Sequence, residues 1–409
     1  LSGAAVLGSV CAQLTVLPAS LLPGDLIYTD WFHTDCLATY YGVEVFSEDY
    51  WSIAESFLKT AAEHGVNMVL TPLFTPPLDT MVGGERPTVQ LVDVAIENGA
   101  YRFGFEKLER WIAMARRCGI EYFEMSHLFT QWGAKRAPKI VAVSGGTGRL
   151  IFGWRTPAGG KAYREFLTAF APELNRFIDT HGLREHCYFH VSDEPGLSQL
   201  RTYGKASKLL KELFPGFTFI DALSDYGLYK RGAVGLPIPA SNHIDDFAGK
   251  VPQLWTYYCC GQYKNRLSNR FFCMPSERTR VLGFQLYKYN VRGFLHWGYN
   301  FWYTRFSIRP VDPFKETDAG GAFPSGDAFC VYPGEDGRAL ASLRLKVFYE
   351  GLQDLRALRL LEQLCGREKA LAVLEEGIAE PLTFTRYPCG AEWLIDTRQR
   401  INAAVLAAL

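Results

Sequence analysis

The chain has 409 residues, 48% of them hydrophobic and 21% charged, so it can bury a large core without disulfide or metal staples. Its 43 basic residues balance 43 acidic ones, which excludes the one-signed field of an electrostatic nucleic-acid binder. Ten cysteines include no CxxC pair, which removes zinc-knuckle and redox motifs, and no apolar run reaches the length of a membrane span.

The predicted elements begin with an apolar, strand-like lead-in over residues 1–22, too short for a domain. From residue 24 onward, short β-like runs alternate with segments of helical period, the pattern of βα units around a parallel sheet. Strands are predicted at 24–30, 67–75, 121–127, 186–193, 217–223, 235–240, 253–259 and 293–297. Pro237 and Pro239 make the sixth a poor strand. Helices are expected at 50–64, 105–118, 162–180, 199–213 and 276–289, the last with Ser276 as N-cap. Two inserted hairpins turn at Asn98-Gly99 and Gly145-Gly146. Helical period returns at 341–365, 368–377 and 398–408. The fold class is therefore α/β: a (β/α)₈ barrel over residues 23–365, with inserted hairpins and a helical C-terminal extension over 366–409.

Barrel enzymes carry their catalytic groups at the C-terminal ends of the strands. Here those ends read Asp30-Trp31-Phe32-His33, Phe74-Thr75-Pro76-Pro77, Ser126-His127, Ser192-Asp193-Glu194-Pro195, Asp225-Tyr226, Ser241-Asn242-His243, Trp255-Thr256-Tyr257-Tyr258 and His296-Trp297-Gly298-Tyr299. Acids, histidines and aromatics on an otherwise apolar framework suit a sugar better than a planar cofactor. In Asp193-Glu194, adjacent acids point to opposite faces of a continuing strand, but Pro195-Gly196 ends it and lets both turn into one cavity. Glycoside hydrolysis needs one carboxyl to protonate the leaving oxygen and a second, ionised group to meet developing positive charge. The same residues also suit an acidic N-cap with proline in the first turn of the 199–213 helix. Each aromatic equally suits plain core packing.

The stretch from Tyr188-Phe189-His190-Val191-Ser192-Asp193-Glu194-Pro195 to Trp297-Gly298-Tyr299-Asn300-Phe301-Trp302 resembles the barrel of family 123 glycoside hydrolases and a related group of bacterial domains. Trp255-Thr256-Tyr257-Tyr258 and Gly326-Asp327 through Tyr332-Pro333-Gly334 add to the likeness, which covers residues 24–360. The resemblance implies a β-N-acetylgalactosaminidase that uses the acetamide of its substrate as nucleophile. On that pattern Asp193 orients the acetamide, and Glu194 is general acid and then base. Tyr226 or Tyr257 holds the acetamide oxygen, while Trp255, Trp297, Tyr299 and Trp302 surround the sugar. His127, His190, His243 and Asn242 are candidates for its hydroxyls. A glycan or glycoconjugate is the implied partner, with no cofactor, no metal, no nucleic acid and no membrane insertion. Family members carry a β-sandwich ahead of the barrel, so residues 1–22 read as a remnant of such a domain. Free cysteines favour a reducing, cytoplasmic compartment, though a chain beginning at Leu1 leaves localisation open.

Three other readings stand beside this one. A metal-dependent barrel hydrolase could draw on His33-x-Asp35, His127, His190 and His243, although no HxH pair is present. A barrel could bind carbohydrate without turnover. A glycosidase acting on a plain sugar would need a separate nucleophile such as Glu124 or Asp30.

Overall fold

Eight short runs, nearly all buried, form parallel strands in the computed structural model, which describes residues 8–409. They are β1 (Ile27–Asp30), β2 (Met68–Thr71), β3 (Tyr122–Met125), β4 (Cys187–Phe189), β5 (Thr218–Ala222), β6 (Leu236–Ile238), β7 (Trp255–Tyr257) and β8 (Gly293–His296). The order β6-β5-β4-β3-β2-β1-β8-β7 leaves one gap, between β6 and β7. A parallel bridge from Ala240 to Tyr257 spans it, with the Tyr257 amide donating to the Pro239 carbonyl at 3.1 Å. The result is a nearly closed (β/α)₈, or TIM-type, barrel.

The sixth strand is therefore real, and its prolines have a place. Leu236–Ile238 pairs with Ile220–Ala222 on one side only, while the other side asks of Pro239 a carbonyl and no N–H. All eight predicted strands form, each shorter than its apolar run, because the run continues into the loop that shapes the rim.

Strand alternation sorts the side chains. Trp31, Met68, Leu70, Ile220, Ala222, Ile238, Trp255, Tyr257 and Leu295 fill the barrel, while Tyr28, Phe123, Phe189, Tyr258 and Phe294 face the helical shell. Trp255 lies across the floor of the barrel against Gly293, where an added Cβ would sit 2.0 Å from the indole. Only glycine fits there.

Helices Glu48–Glu63, Glu106–Cys118, Lys161–Thr180 and Leu200–Leu213 follow the first strands. The predicted 276–289 helix is two, Ser276–Arg280 and Leu282–Lys288. Ser276 is its first helical residue and not its cap, because extended Pro275 holds that position without a side-chain hydrogen bond. Gly283 meets the Leu343–Cys365 helix so closely that a Cβ would fall 1.8 Å from the Gly351 carbonyl oxygen.

Both hairpins form at the predicted turns, as Asp93–Glu97 with Ala100–Gly104 and Ile140–Ser144 with Thr147–Phe152. They then join into one four-stranded sheet through a parallel pairing of Ala95 with Val143. Phe103 packs this sheet on Phe166 and Phe170 of the Lys161–Thr180 helix. Residues 8–22, expected to be strand-like, form no regular element, and residues 1–7 of that lead-in lie outside the described part. Helices Arg367–Leu374 and Ala391–Ala408 pack on Leu343–Cys365. Among the described residues no helix is long and apolar enough to cross a membrane.

Candidate active site

At the C-terminal end of the strands lies a cavity of about 310 Å³. Asp193 and Glu194 both line it, so the loop after β4 does bring adjacent acids to one space. The turn is made at Glu194, whose φ of 42° is left-handed, a conformation that costs a non-glycine residue on the order of 1–3 kcal/mol. Neighbouring backbone holds it: the Trp132 amide donates to the Asp193 carbonyl at 3.0 Å, and the Ser192 hydroxyl donates to the Thr130 carbonyl at 3.0 Å. The acids do not cap the following helix. Gly196 opens a short turn at Leu197–Gln199, and Leu200–Leu213 continues from it.

The two carboxyls are set differently. Glu194 accepts a hydrogen bond from the Tyr257 hydroxyl at 2.7 Å and is open to solvent. Asp193 is half-buried and ringed by protein; burial, and after it the Glu194 charge, push its pKa well above the carboxylate range. Two acids side by side with unlike environments are the arrangement that separates acid and base roles. Burial, then the Glu194 charge, also keeps the Tyr257 phenol protonated far above its usual range.

Trp31, Trp297, Phe306 and Phe323 supply aromatic walls. Trp297 donates its indole N–H to Asp327 at 3.0 Å, and Trp31 donates to Glu124 at 2.7 Å, so neither ring is free to turn. His33 bonds the Trp297 carbonyl at 2.9 Å; burial and the nearby Arg86 charge lower its pKa to about 4, so it is neutral. Asp79, Gln131 and Arg305 add to the polar lining, with the Asp79 amide bonded to the Gln131 side chain at 2.6 Å.

Beneath this floor sits a buried ionic network. Glu124 accepts from the Thr29 hydroxyl at 2.5 Å, from the Trp31 indole and from the His190 Nε2–H. His190 reaches Asp221 with its other nitrogen at 3.0 Å, and Asp221 also accepts from the Tyr203 hydroxyl. Burial alone would lower the His190 pKa, but the Glu124 charge and both carboxylate hydrogen bonds outweigh it and raise it to about 10. His190 is thus an imidazolium with both nitrogens occupied. His127 stacks on it at 4.1 Å, and burial with the His190 charge keeps it neutral. The only potential metal cluster among the described residues is His127, His190 and Asp221. A doubly bonded imidazolium offers no lone pair to an ion there.

A second network lies outside the β1 and β8 ends. Arg270 forks onto Asp30 at 2.6 and 3.1 Å and donates to His296 Nδ1 at 2.6 Å. His296 Nε2 faces Asp327 at 3.4 Å, which ties this network to the Trp297 wall.

Of the sequence candidates, Asp193, Glu194, Tyr257 and Trp297 meet in the cavity. Tyr226 lines an adjoining depression. Trp255 is the floor of the barrel, and His127 and His190 lie in the buried layer between it and the cavity, against Trp31. Tyr299 points into the shell, where its hydroxyl donates to the Phe57 carbonyl at 2.9 Å, and Trp302 packs on Phe57 at 5.6 Å. Asn242 is exposed and accepts from Gln262 at 3.2 Å. Trp31 carried a legible signal, as it directly follows β1. Asp79, Gln131, Arg305, Phe306 and Phe323 carried none, because they sit in long loops placed by tertiary contacts.

A TIM-type barrel whose rim cavity joins paired carboxyls to aromatic walls defines the class: a barrel hydrolase built for sugars. The family model "Glycoside hydrolase 123, catalytic domain" matches residues 31–361, and the chain belongs to that family of glycoside hydrolases. Among solved structures it is similar to a family 123 glycoside hydrolase from Clostridium perfringens, described in the context of glycolipid glycan hydrolysis. The TM-score is 0.67 at 15% identity, over 94% of this chain and 69% of that one. A family 5 mannosidase from Rhizomucor miehei matches with a TM-score of 0.40 at 12% identity, over 81% and 92% of the two chains. A comparison with curated protein sequences gave no match.

Proposed function

We propose that this glycoside hydrolase removes β-linked N-acetylgalactosamine, or a closely related hexosamine, by substrate-assisted retaining catalysis. The observation that carries the reading is the convergence of Asp193 and Glu194 on one cavity, with Glu194 bonded to Tyr257. Asp193 holds the proton of the pair in the free enzyme, and as the substrate seats that proton passes to Glu194, the exposed, reachable acid. Glu194 gives it to the glycosidic oxygen as the acetamide carbonyl oxygen attacks the anomeric carbon and the bond to the leaving group breaks. Asp193 takes the acetamide N–H and stabilises the positive charge of the oxazolinium ion. Glu194, now ionised, removes a proton from water, which attacks the same carbon and reopens the ring. In the first step Tyr257 passes its hydrogen bond from Glu194 to the acetamide oxygen.

Burial weighs against the reading with a separate nucleophile. The Glu124 and Asp30 side chains have no exposed surface, and each is saturated by donors. Hydrolysis of aryl β-N-acetylgalactosaminide, β-N-acetylglucosaminide and β-galactoside tests the proposal. Turnover restricted to acetamido sugars and lost in Glu194→Gln is expected. Turnover of the plain galactoside alone would overturn the acetamide mechanism.

A further inference from the structure

The chain carries no net charge, but its cations are unevenly placed. Between Glu124 and Glu165 lie seven lysines and arginines and no acid; between Glu194 and Glu212 lie four more and again no acid. The first stretch runs from the end of β3 through the second hairpin into the Lys161–Thr180 helix, and the second takes in most of the Leu200–Leu213 helix. They meet around a groove of about 630 Å³, whose lining includes Lys135, Arg164, Lys205 and Lys208. The groove shares no residue with the catalytic cavity. The loop over residues 129–135 stands between the two, with Gln131 and Trp132 lining the cavity and Phe129, Ala134 and Lys135 lining the groove.

Fixed backbone presents these cations. The Ala158 amide donates to the Lys135 carbonyl at 3.0 Å and the Thr130 amide to the Arg136 carbonyl at 2.9 Å, while the other three stand on helices. All four side chains are exposed. Lys208 reaches Glu212 only at 4.0 Å, and Lys135, Arg164 and Lys205 form no ion pair among the described residues. Elsewhere the helical shell neutralises its surface, as in Arg110 with Glu48, Arg117 with Glu55 and Arg184 with Asp179. Like charges gathered round one concavity repel each other, and an anion bound there would offset that repulsion. The floor narrows the choice of anion. Phe129, Ala134, Ala158, Ala206 and Leu209 are buried, so no aromatic face is open to stack a nucleobase, and no large apolar side chain protrudes to enter a bilayer. A hydrophilic chain with an anionic group on successive units fits the concavity and its cations, and glycans are what a glycoside hydrolase acts on.

We propose that this groove is a second, non-catalytic glycan site that takes a polyanionic polysaccharide, sulfated or uronate-bearing, with Lys135, Arg164 and Lys205 as its anion contacts. It is independent of the acetamide mechanism. The test measures binding of the intact chain to dextran sulfate, polygalacturonate, neutral dextran, phosphatidylglycerol vesicles and a single-stranded DNA oligomer, at low and at high salt. Wild type is expected to bind both anionic glycans, to ignore neutral dextran and to weaken as salt rises. Lys135→Glu/Arg164→Glu/Lys205→Glu should weaken glycan binding by about tenfold or more, with a melting temperature close to wild type. Arg149→Glu/Arg155→Glu/Arg201→Glu, an equal charge change within the same two stretches but outside the groove, should weaken it only about twofold. Lys135→Gln/Arg164→Gln/Lys205→Gln should lose less than its glutamate counterpart, and it carries the comparison if that counterpart fails to fold. Equal losses inside and outside the groove would show a diffuse field and overturn the site. So would a wild type that binds neither anionic glycan, or one that prefers vesicles or DNA to both at equal charge concentration.

Discussion

Five acidic residues within or near this site differ sharply in what surrounds them. Glu124 and Asp221 below the floor are fully buried, and each accepts at least three hydrogen bonds, with the charged His190 between them. Asp193 and Glu194, just after His190 in the chain, have one side-chain donor between them, the Tyr257 hydroxyl. Asp79 on the facing rim is intermediate: it accepts from the Phe306 amide at 3.1 Å, and burial raises its pKa. A carboxylate that is saturated and dry holds the framework. One that is under-supplied, and reachable by a ligand, keeps its free energy for the ligand. The lower network also has a mechanical task, since Glu124 fixes the Trp31 wall of the cavity above.

The contrast breaks most sharply at Glu194. Glu194→Gln should lower kcat on a poor-leaving-group substrate by about 10²–10⁴-fold, the usual worth of a positioned acid–base group, while the melting temperature stays close to wild type. Activated aryl substrates should lose less, because their leaving groups need less protonation.

At Asp193 the two properties should move in opposite directions. Asp193→Asn removes charge stabilisation worth about 10²–10³-fold in kcat. The raised pKa of Asp193 means that the folded state prefers its protonated form. That preference stabilises the fold below the ordinary carboxylate range and is lost as pH rises through the elevated folded value. The variant should therefore melt higher than wild type at neutral pH, with the advantage fading in acid. A variant that is both inactive and less stable at neutral pH would show that Asp193 belongs with the framework.

His190→Ala probes the lower layer. It strips the cation from between two buried carboxylates, which should cost on the order of 3–5 kcal/mol of stability, read by denaturant unfolding. For wild type, the His190 contribution is complete below the ordinary imidazole range, near pH ~6.5, and is lost as pH rises through about 10. The melting temperature of the wild type should decline over that alkaline window more steeply than that of His190→Gln.

The smallest expected effect is at Tyr257. Tyr257→Phe removes a single hydroxyl from Glu194, and kcat/KM should drop by about tenfold, with the loss concentrated in substrates that carry the acetamide. An equal loss on all substrates would confine Tyr257 to orienting Glu194.

Much of the fold was legible because its signals are local. Apolar runs of strand length separated by helical segments read as a barrel, and Asn98-Gly99 and Gly145-Gly146 marked two hairpins that form at those turns. The joining of the hairpins into one sheet was not legible, since the Ala95–Val143 pairing depends on how two insertions meet in space. At the site, strand-end position brought Asp193, Glu194, Tyr257 and Trp297 to notice, and these four line the cavity. The same rule also picked Trp255, Tyr299 and Trp302. Trp255 opens β7 at the end away from the rim, and the other two turn outward after β8. Side-chain direction depends on where a strand stops, and apolar composition fixes that only to within a few residues.

By itself, then, the sequence determined the barrel, its eight strands and the acidic pair that ends the fourth strand, because periodicity and punctuation are written residue by residue. Only the tertiary structure decided that Glu194 adopts a left-handed turn, that Glu124 and Asp30 are sealed, and that loops from distant parts of the chain supply Asp79, Gln131 and Phe306 to the rim. Those features arise from contacts between residues far apart in the chain, and no local pattern carries information about them.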